Sequence, residues 1–187
     1  MEWIKKRKWD LLFVVLIGLF FVPSFRMPVQ VFIQRLIASS PDELSEDQKI
    51  AVDNYDWELL SLNGEIVNFS TSIGKPVVLN LWATWCPPCV AEMPALQNLY
   101  DEFNEEVDFY FVSSEDSDKL KNWLKIKEYN LPVYNAHSKY PLALESNTLP
   151  TTFVLDRQGR MVMKEEGSAK WDSHEVKTYL QDLIDKD

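Results

Sequence analysis

The chain has 187 residues, is 46% apolar and 13% aromatic, and carries 19 Lys/Arg against 29 Asp/Glu for a net charge of −10. That composition excludes a disordered chain, and the charge is unevenly placed: residues 1–38 hold six basic and two acidic side chains, the remainder 13 basic and 27 acidic. So acidic a body is unsuited to nucleic acid, whose phosphates need clustered Lys/Arg, and two cysteines are too few for a disulfide-stapled secreted fold.

The first element is a basic cluster, Lys5-Lys6-Arg7-Lys8, ahead of an uncharged stretch from Leu11 to Phe25. A basic region followed by an apolar run reads as a signal anchor or a cleaved secretory signal. The 15 uncharged residues fall short of the roughly 20 that span a bilayer as a straight helix. Trp3 and Trp9 fit an interfacial belt, and Arg26, Gln30 and Gln34 recur every fourth residue among apolar neighbours, predicting an amphipathic helix that lies in the interface. Residues 1–38 are therefore expected to anchor the chain in a membrane with the basic end inside and the body outside the cytoplasm. Residues 39–52 are read as a polar tether, and 53–187 as one domain, long enough for a proper core.

Within that domain, Trp57–Leu62 and Glu65–Phe69 flank Asn63-Gly64, the dipeptide that favours a two-residue hairpin. Val77–Trp82 reads as a buried strand and leads directly into Trp85-Cys86-Pro87-Pro88-Cys89. Ala95–Glu105 has helical spacing through Leu96, Leu99, Tyr100 and Phe103. Val107–Val112 is a strand, Asp118–Tyr129 a helix whose lysines face solvent, and Leu131–Asn135 a short strand. Thr151–Leu155 and Arg160–Lys164 form a pair around the turn Asp156–Gly159, and Asp172–Ile184 is the closing helix. The order predicts an α/β fold with a mixed central sheet flanked by helices, preceded by an extra N-terminal hairpin.

Cys86 and Cys89 carry the chemistry. Zinc needs four ligands, and only His137 and His174 remain as nitrogen donors, without ligand spacing. A c-type haem needs His after the second cysteine, where this chain has Val90. Thiol–disulfide exchange is the reading that survives, with no cofactor beyond the pair itself. Where a strand feeds a helix, unpaired backbone N–H groups favour a thiolate. Cys86 is therefore expected to be the exposed nucleophile and Cys89 the shielded thiol. Pro87 and Pro88 suit the first helical turn, which leaves N–H groups unbonded in any case.

From about Trp57 to Lys186 the chain resembles the membrane-anchored, thioredoxin-like thiol–disulfide oxidoreductases of the TlpA/ResA type. The resemblance rests on the strand with Trp-Cys-Pro-Pro-Cys, on Pro94, on Leu149-Pro150-Thr151-Thr152-Phe153, and on the extra hairpin. It implies a thioredoxin-like fold, a cis peptide at Leu149–Pro150 beside the cysteines where substrate backbone docks, and a contact role for Trp85. It also implies that Glu92 assists proton transfer, because Asn80 stands where cytoplasmic thioredoxins keep a buried aspartate and cannot shuttle a proton. The implied partners are substrate proteins held as mixed disulfides, such as apocytochrome c or copper-site proteins, and a membrane thiol–electron transporter as reductant. Three alternatives stay open: an oxidase or isomerase with the same fold, a copper-binding chaperone using the two thiols, and a peroxidase of the related peroxiredoxin group, against which the two-residue gap and the prolines speak.

Overall fold

The computed structural model describes Phe13, Gly18, residues 23–52 and residues 54–185. Its centre is the strand β3 (Val77–Leu81), in which all five positions are buried. An unbroken apolar run of that kind fits a strand covered on both faces. β4 (Asp108–Val112) pairs with it in parallel, and β6 (Thr151–Leu155) in antiparallel. With β1 (Glu58–Ser61), β2 (Ile66–Asn68), β5 (Val133–Ala136) and β7 (Met161–Glu166), the sheet has seven strands in the order β2-β1-β5-β4-β3-β6-β7. The predicted hairpin is β1–β2, turning at Gly64 with φ 88°. β1 also pairs with β5, which joins the extra hairpin to the main sheet.

Strand alternation divides the interior into two layers. Val78 of β3 and Phe109 and Phe111 of β4 pack with Met93, Leu96, Leu99, Leu120, Trp171 and Leu180 from the helical side. Val77, Leu79 and Leu81 face the other way, against Trp57, Phe69, Tyr110 and Phe153. Asn80 is the one polar member of β3 and is completely buried. It shares a face with Val78 and is paired in register with Thr152 of β6.

Helix α1 (Pro23–Ile37) packs on α2 (Pro87–Phe103); α3 (Ser117–Lys127) and α4 (His174–Asp185) complete the set. α2 begins at the cysteine motif and runs through Pro94, earlier than the periodicity from Ala95 predicts. The first turns are rich in proline and lack a helical apolar repeat, so spacing alone does not reveal them. α3 is capped by Asp116, whose carboxylate accepts the amides of Asp118 and Lys119, and ends at Glu128 in the left-handed region with φ 58°. The turn between β6 and β7 needs Gly159: its φ is 73°, and a Cβ there would collide with the Tyr55 hydroxyl.

The predicted amphipathic helix forms as α1 and packs on α2. Gln34 and Arg35 point at the domain, where Gln34 accepts from the Ser168 hydroxyl and Arg35 Nε donates to the Ala91 carbonyl at 3.1 Å. Phe32, Ile33, Leu36 and Ile37 are exposed. No helix among the described residues is long and apolar enough to cross a membrane. Most of the apolar run from Leu11, together with Trp3 and Trp9, lies outside the described residues. Residues 39–52, read as a tether, lie along the domain. The Leu44 amide donates to the Val162 carbonyl, Met161 donates to the Ile50 carbonyl, and Val52 donates to the Gly159 carbonyl at 2.9 Å. These bonds use backbone groups along the edge strand β7 that would otherwise be open to a foreign strand.

Leu79 sits at the middle of the central strand with no exposure. Leu79→Ala is expected to lower unfolding stability by about 2–5 kcal/mol, read as a fall in the urea midpoint with an unchanged slope.

Candidate active site

β3 ends at Leu81, and the chain turns through Thr84 and Trp85 into the helix. Glu115, on the loop after β4, holds this turn: its carboxylate accepts the Thr84 amide and, at 2.8 Å, the Thr84 hydroxyl. Burial opposes the charge on Glu115, but the donors from Lys119 and Thr84 outweigh it and keep this carboxyl below the usual range. No sequence motif singles out Glu115, because the partnership crosses 31 positions.

Cys86 caps α2, with Pro87 and Pro88 as the first helical residues, and is disulfide-bonded to Cys89 across a Cα–Cα distance of 5.3 Å. The Cys89 amide points at Cys86 Sγ from 3.3 Å. The expectation of an exposed Cys86 is corrected: it is 4% exposed and Cys89 0%. Both belong to the apolar cluster of Trp82, Ala83 and Met93. Cys86 remains the more accessible of the two, but only by its rim. Trp85 is the exposed residue of the motif, at 63%.

The peptide bond Leu149–Pro150 is cis. β6 pairs Thr151 with Leu81, so Leu149–Pro150 and the segment from Trp82 to Cys86 leave the sheet at the same end. Between them opens a cleft of about 390 Å³ lined by Trp82, Ser114, Tyr140, Ser146 and Leu149. Trp85, Leu149 and Pro150, the residues named for substrate contact, thus gather around one end of the sheet with the cysteines.

Glu92, one turn beyond Cys89, is 2% exposed. Three groups donate to its carboxyl. Asn80 Nδ2 reaches Oε1 at 2.9 Å, while the Trp171 indole N–H at 3.0 Å and the Ala169 amide at 3.2 Å reach Oε2. Burial dominates and pushes the pKa up to about 8, against the pull of those donors, with a small further push from Glu165. Glu92 therefore holds a proton at neutral pH and can release it with modest driving force. Trp171 and Ala169 carry no signal in the sequence, since they lie nearly eighty positions from their partner. His137 and His174 are both exposed. Among the described residues no cluster of His, Cys, Asp or Glu is arranged to hold a metal ion.

The burial of Glu92 sets the sign of a pH effect. The folded pKa near 8 stands above the ordinary value of 4.5. Between those values the folded chain keeps a proton that the unfolded chain has released, so stability present below pH 4.5 is lost as pH rises through 8. The loss approaches about 5 kcal/mol. Urea unfolding of the oxidised protein at pH 5 and pH 9 is expected to show this decline, and Glu92→Gln is expected to flatten it.

Residues 50–164 match the AhpC/TSA family. Over 150 residues the chain is 29% identical to the thiol-disulfide oxidoreductase ResA of Bacillus cereus, covering 74% of this chain and 80% of that one. It is 32% identical over 136 residues to ResA of Oceanobacillus iheyensis, covering 68% of this chain and 69% of the other. Among solved structures, the exposed lipoprotein thioredoxin of Streptococcus pneumoniae superposes with a TM-score of 0.54 at 29% identity, over 70% of this chain and 99% of that one. The mixed sheet, the helix-capping cysteine pair and these likenesses agree: the chain is a member of the AhpC/TSA family, a thioredoxin-like thiol–disulfide oxidoreductase of the ResA type.

Proposed function

We propose that this oxidoreductase works as a reductase of protein disulfides outside the cytoplasm, held to the membrane by its N-terminal segment. The observation that carries the direction is the burial of Cys86 in an apolar cluster. Apolar surroundings raise a thiol's pKa, and a poorly stabilised thiolate makes the reduced pair a better electron donor. No Lys or Arg donates to either sulfur among the described residues, and the Cys89 amide is the one group seen to favour charge on Cys86. The basic, apolar N-terminus supports the location, as does the relative described as an exposed lipoprotein.

In this reading, the reduced Cys86 gives up its proton and attacks one sulfur of a substrate disulfide. A mixed disulfide forms, and the first substrate sulfur leaves as a thiolate that takes the proton held by Glu92. The carboxylate so formed takes the Cys89 proton, and Cys89 attacks Cys86 Sγ, re-forming the Cys86–Cys89 bond. The second substrate sulfur leaves as a thiolate and takes up the proton that Cys86 gave up. Two electrons and two protons have then passed from the dithiol to the substrate. Trp85 and the backbone at Leu149–Pro150 hold the substrate chain across the cleft. A membrane thiol–electron transporter restores the dithiol, and apocytochrome c or copper-site proteins with oxidised cysteine pairs are the clients. An oxidase or isomerase would need a stabilised Cys86 thiolate, which the burial of this sulfur disfavours. A copper chaperone would use the same two thiols but perform no turnover.

Three measurements test this. Cys89→Ala is expected to accumulate mixed disulfides with client proteins in cells, and Cys86→Ala to trap none; equal trapping by both would reverse the roles. Glu92→Gln is expected to slow client reduction at neutral pH by about 10²-fold while leaving the disulfide intact. Equilibration with glutathione and thioredoxin couples is expected to give a potential nearer the thioredoxin value of about −270 mV than the −120 mV end of this fold's range; a value near the oxidising end would overturn the reductase assignment.

A further inference from the structure

Every hydrogen bond that reaches the Glu92 carboxyl is donated to it. The indole N–H of Trp171 and the amide of Ala169 can only donate, so Oε2 has no use for a proton of its own. The proton held by Glu92 therefore belongs on Oε1. The partner of Oε1 is the Asn80 Nδ2 group at 2.9 Å. With Oε1 protonated, that contact would press an O–H against an N–H.

Asn80 offers a way out. Its side chain is wholly buried, and Nδ2 also contacts Thr152 Oγ1 at 2.7 Å. Its Oδ1 is buried with no hydrogen-bond partner. A buried amide oxygen left unpaired is costly and calls for an explanation. A half-turn about the Cβ–Cγ bond exchanges Oδ1 and Nδ2 within nearly the same volume. Oδ1 then lies where it accepts from Glu92 Oε1–H. The Thr152 hydroxyl, which accepts from Nδ2 in one orientation, donates to Oδ1 in the other.

We propose that Asn80 is a positioning residue whose carboxamide takes two orientations, N–H toward ionised Glu92 and C=O toward protonated Glu92, with Thr152 reversing its hydroxyl to match. This rests on the reading of Glu92 as the proton carrier, and adds how the site accepts both of its states. Either orientation leaves one amide atom unpaired, so neither is locked. The other charged groups around Glu92 are Glu165 on β7, and Arg35 of α1 with Lys170 and Asp172 of the loop before α4, which line a small cavity beside it. The amide turn changes no contact of theirs.

The test uses the full wild-type chain, oxidised, isotope-labelled and held in mild detergent, followed by NMR from pH 5 to pH 10. The Glu92 Cδ shift reads its ionisation. The nuclear Overhauser contacts of the Asn80 side-chain NH₂ with the Glu92 and Thr152 side chains read the amide. The expected result is one titration near pH 8, with the NH₂ contacts to Glu92 strong above it and lost below it. If Glu92 titrates while those contacts persist unchanged, Asn80 is a fixed donor and the proposal is overturned, with the role of Glu92 intact. If Glu92 does not titrate in this range, the proton-carrier reading fails first. Asn80→Asp, which brings a second carboxyl to Oε1, is expected to replace the single step by two, one below and one above the wild-type value. A single unshifted step would also overturn the proposal.

Discussion

The carboxyl of Glu92 is the constraint around which this molecule is arranged. Placing a carboxyl group at 2% exposure is costly unless it is neutral or well bonded, and here it is both to a degree. The three donors come from two separate parts of the chain: β3, and two positions of the loop that joins β7 to α4. To deliver them, β3 must run between β4 and β6, and that loop must fold back over α2. The same packing buries Cys89 and leaves Cys86 with only its rim. The acid group and the reactive sulfurs are thus consequences of one arrangement, and a change that disturbs it reaches both.

Much of the fold was legible in the residues. The five-residue apolar run of β3, the Asn63-Gly64 turn and the repeat of Leu96, Leu99, Tyr100 and Phe103 each correspond to an element in nearly the expected place. These signals are local, so they survive reading along the chain. The proline-rich start of α2 was hidden because its first turns have no apolar period. The docking of α1 was hidden because Gln34 and Arg35 find their partners 134 and 56 positions away along the chain.

The site was legible in part for the same reason. Cys86 and Cys89 announce themselves by spacing and neighbours, and Pro150 by the resemblance of Leu149-Pro150-Thr151-Thr152-Phe153 to a family loop. The burial of Cys86 did not, since helix-capping position alone suggests exposure, and only the packed cluster of Trp82 and Met93 shows otherwise. Trp171, Ala169 and Thr152 are ordinary residues brought to Glu92 and Asn80 by sheet register and loop path. Asn80 was noticed for the aspartate it is not; its place between Glu92 and Thr152 is visible only once β3 and β6 are paired.

The segment 39–52 carries a last consequence. Fourteen free residues would let a domain wander by about 20 Å from its point of attachment. Hydrogen-bonded to Gly159, Met161 and Val162, and joined to α1 that is itself pinned to Ala91, this segment has surrendered that reach. The active site therefore keeps a set position relative to α1. Whatever meets the cysteine pair meets a site whose place on the chain is set by the fold and not by a linker.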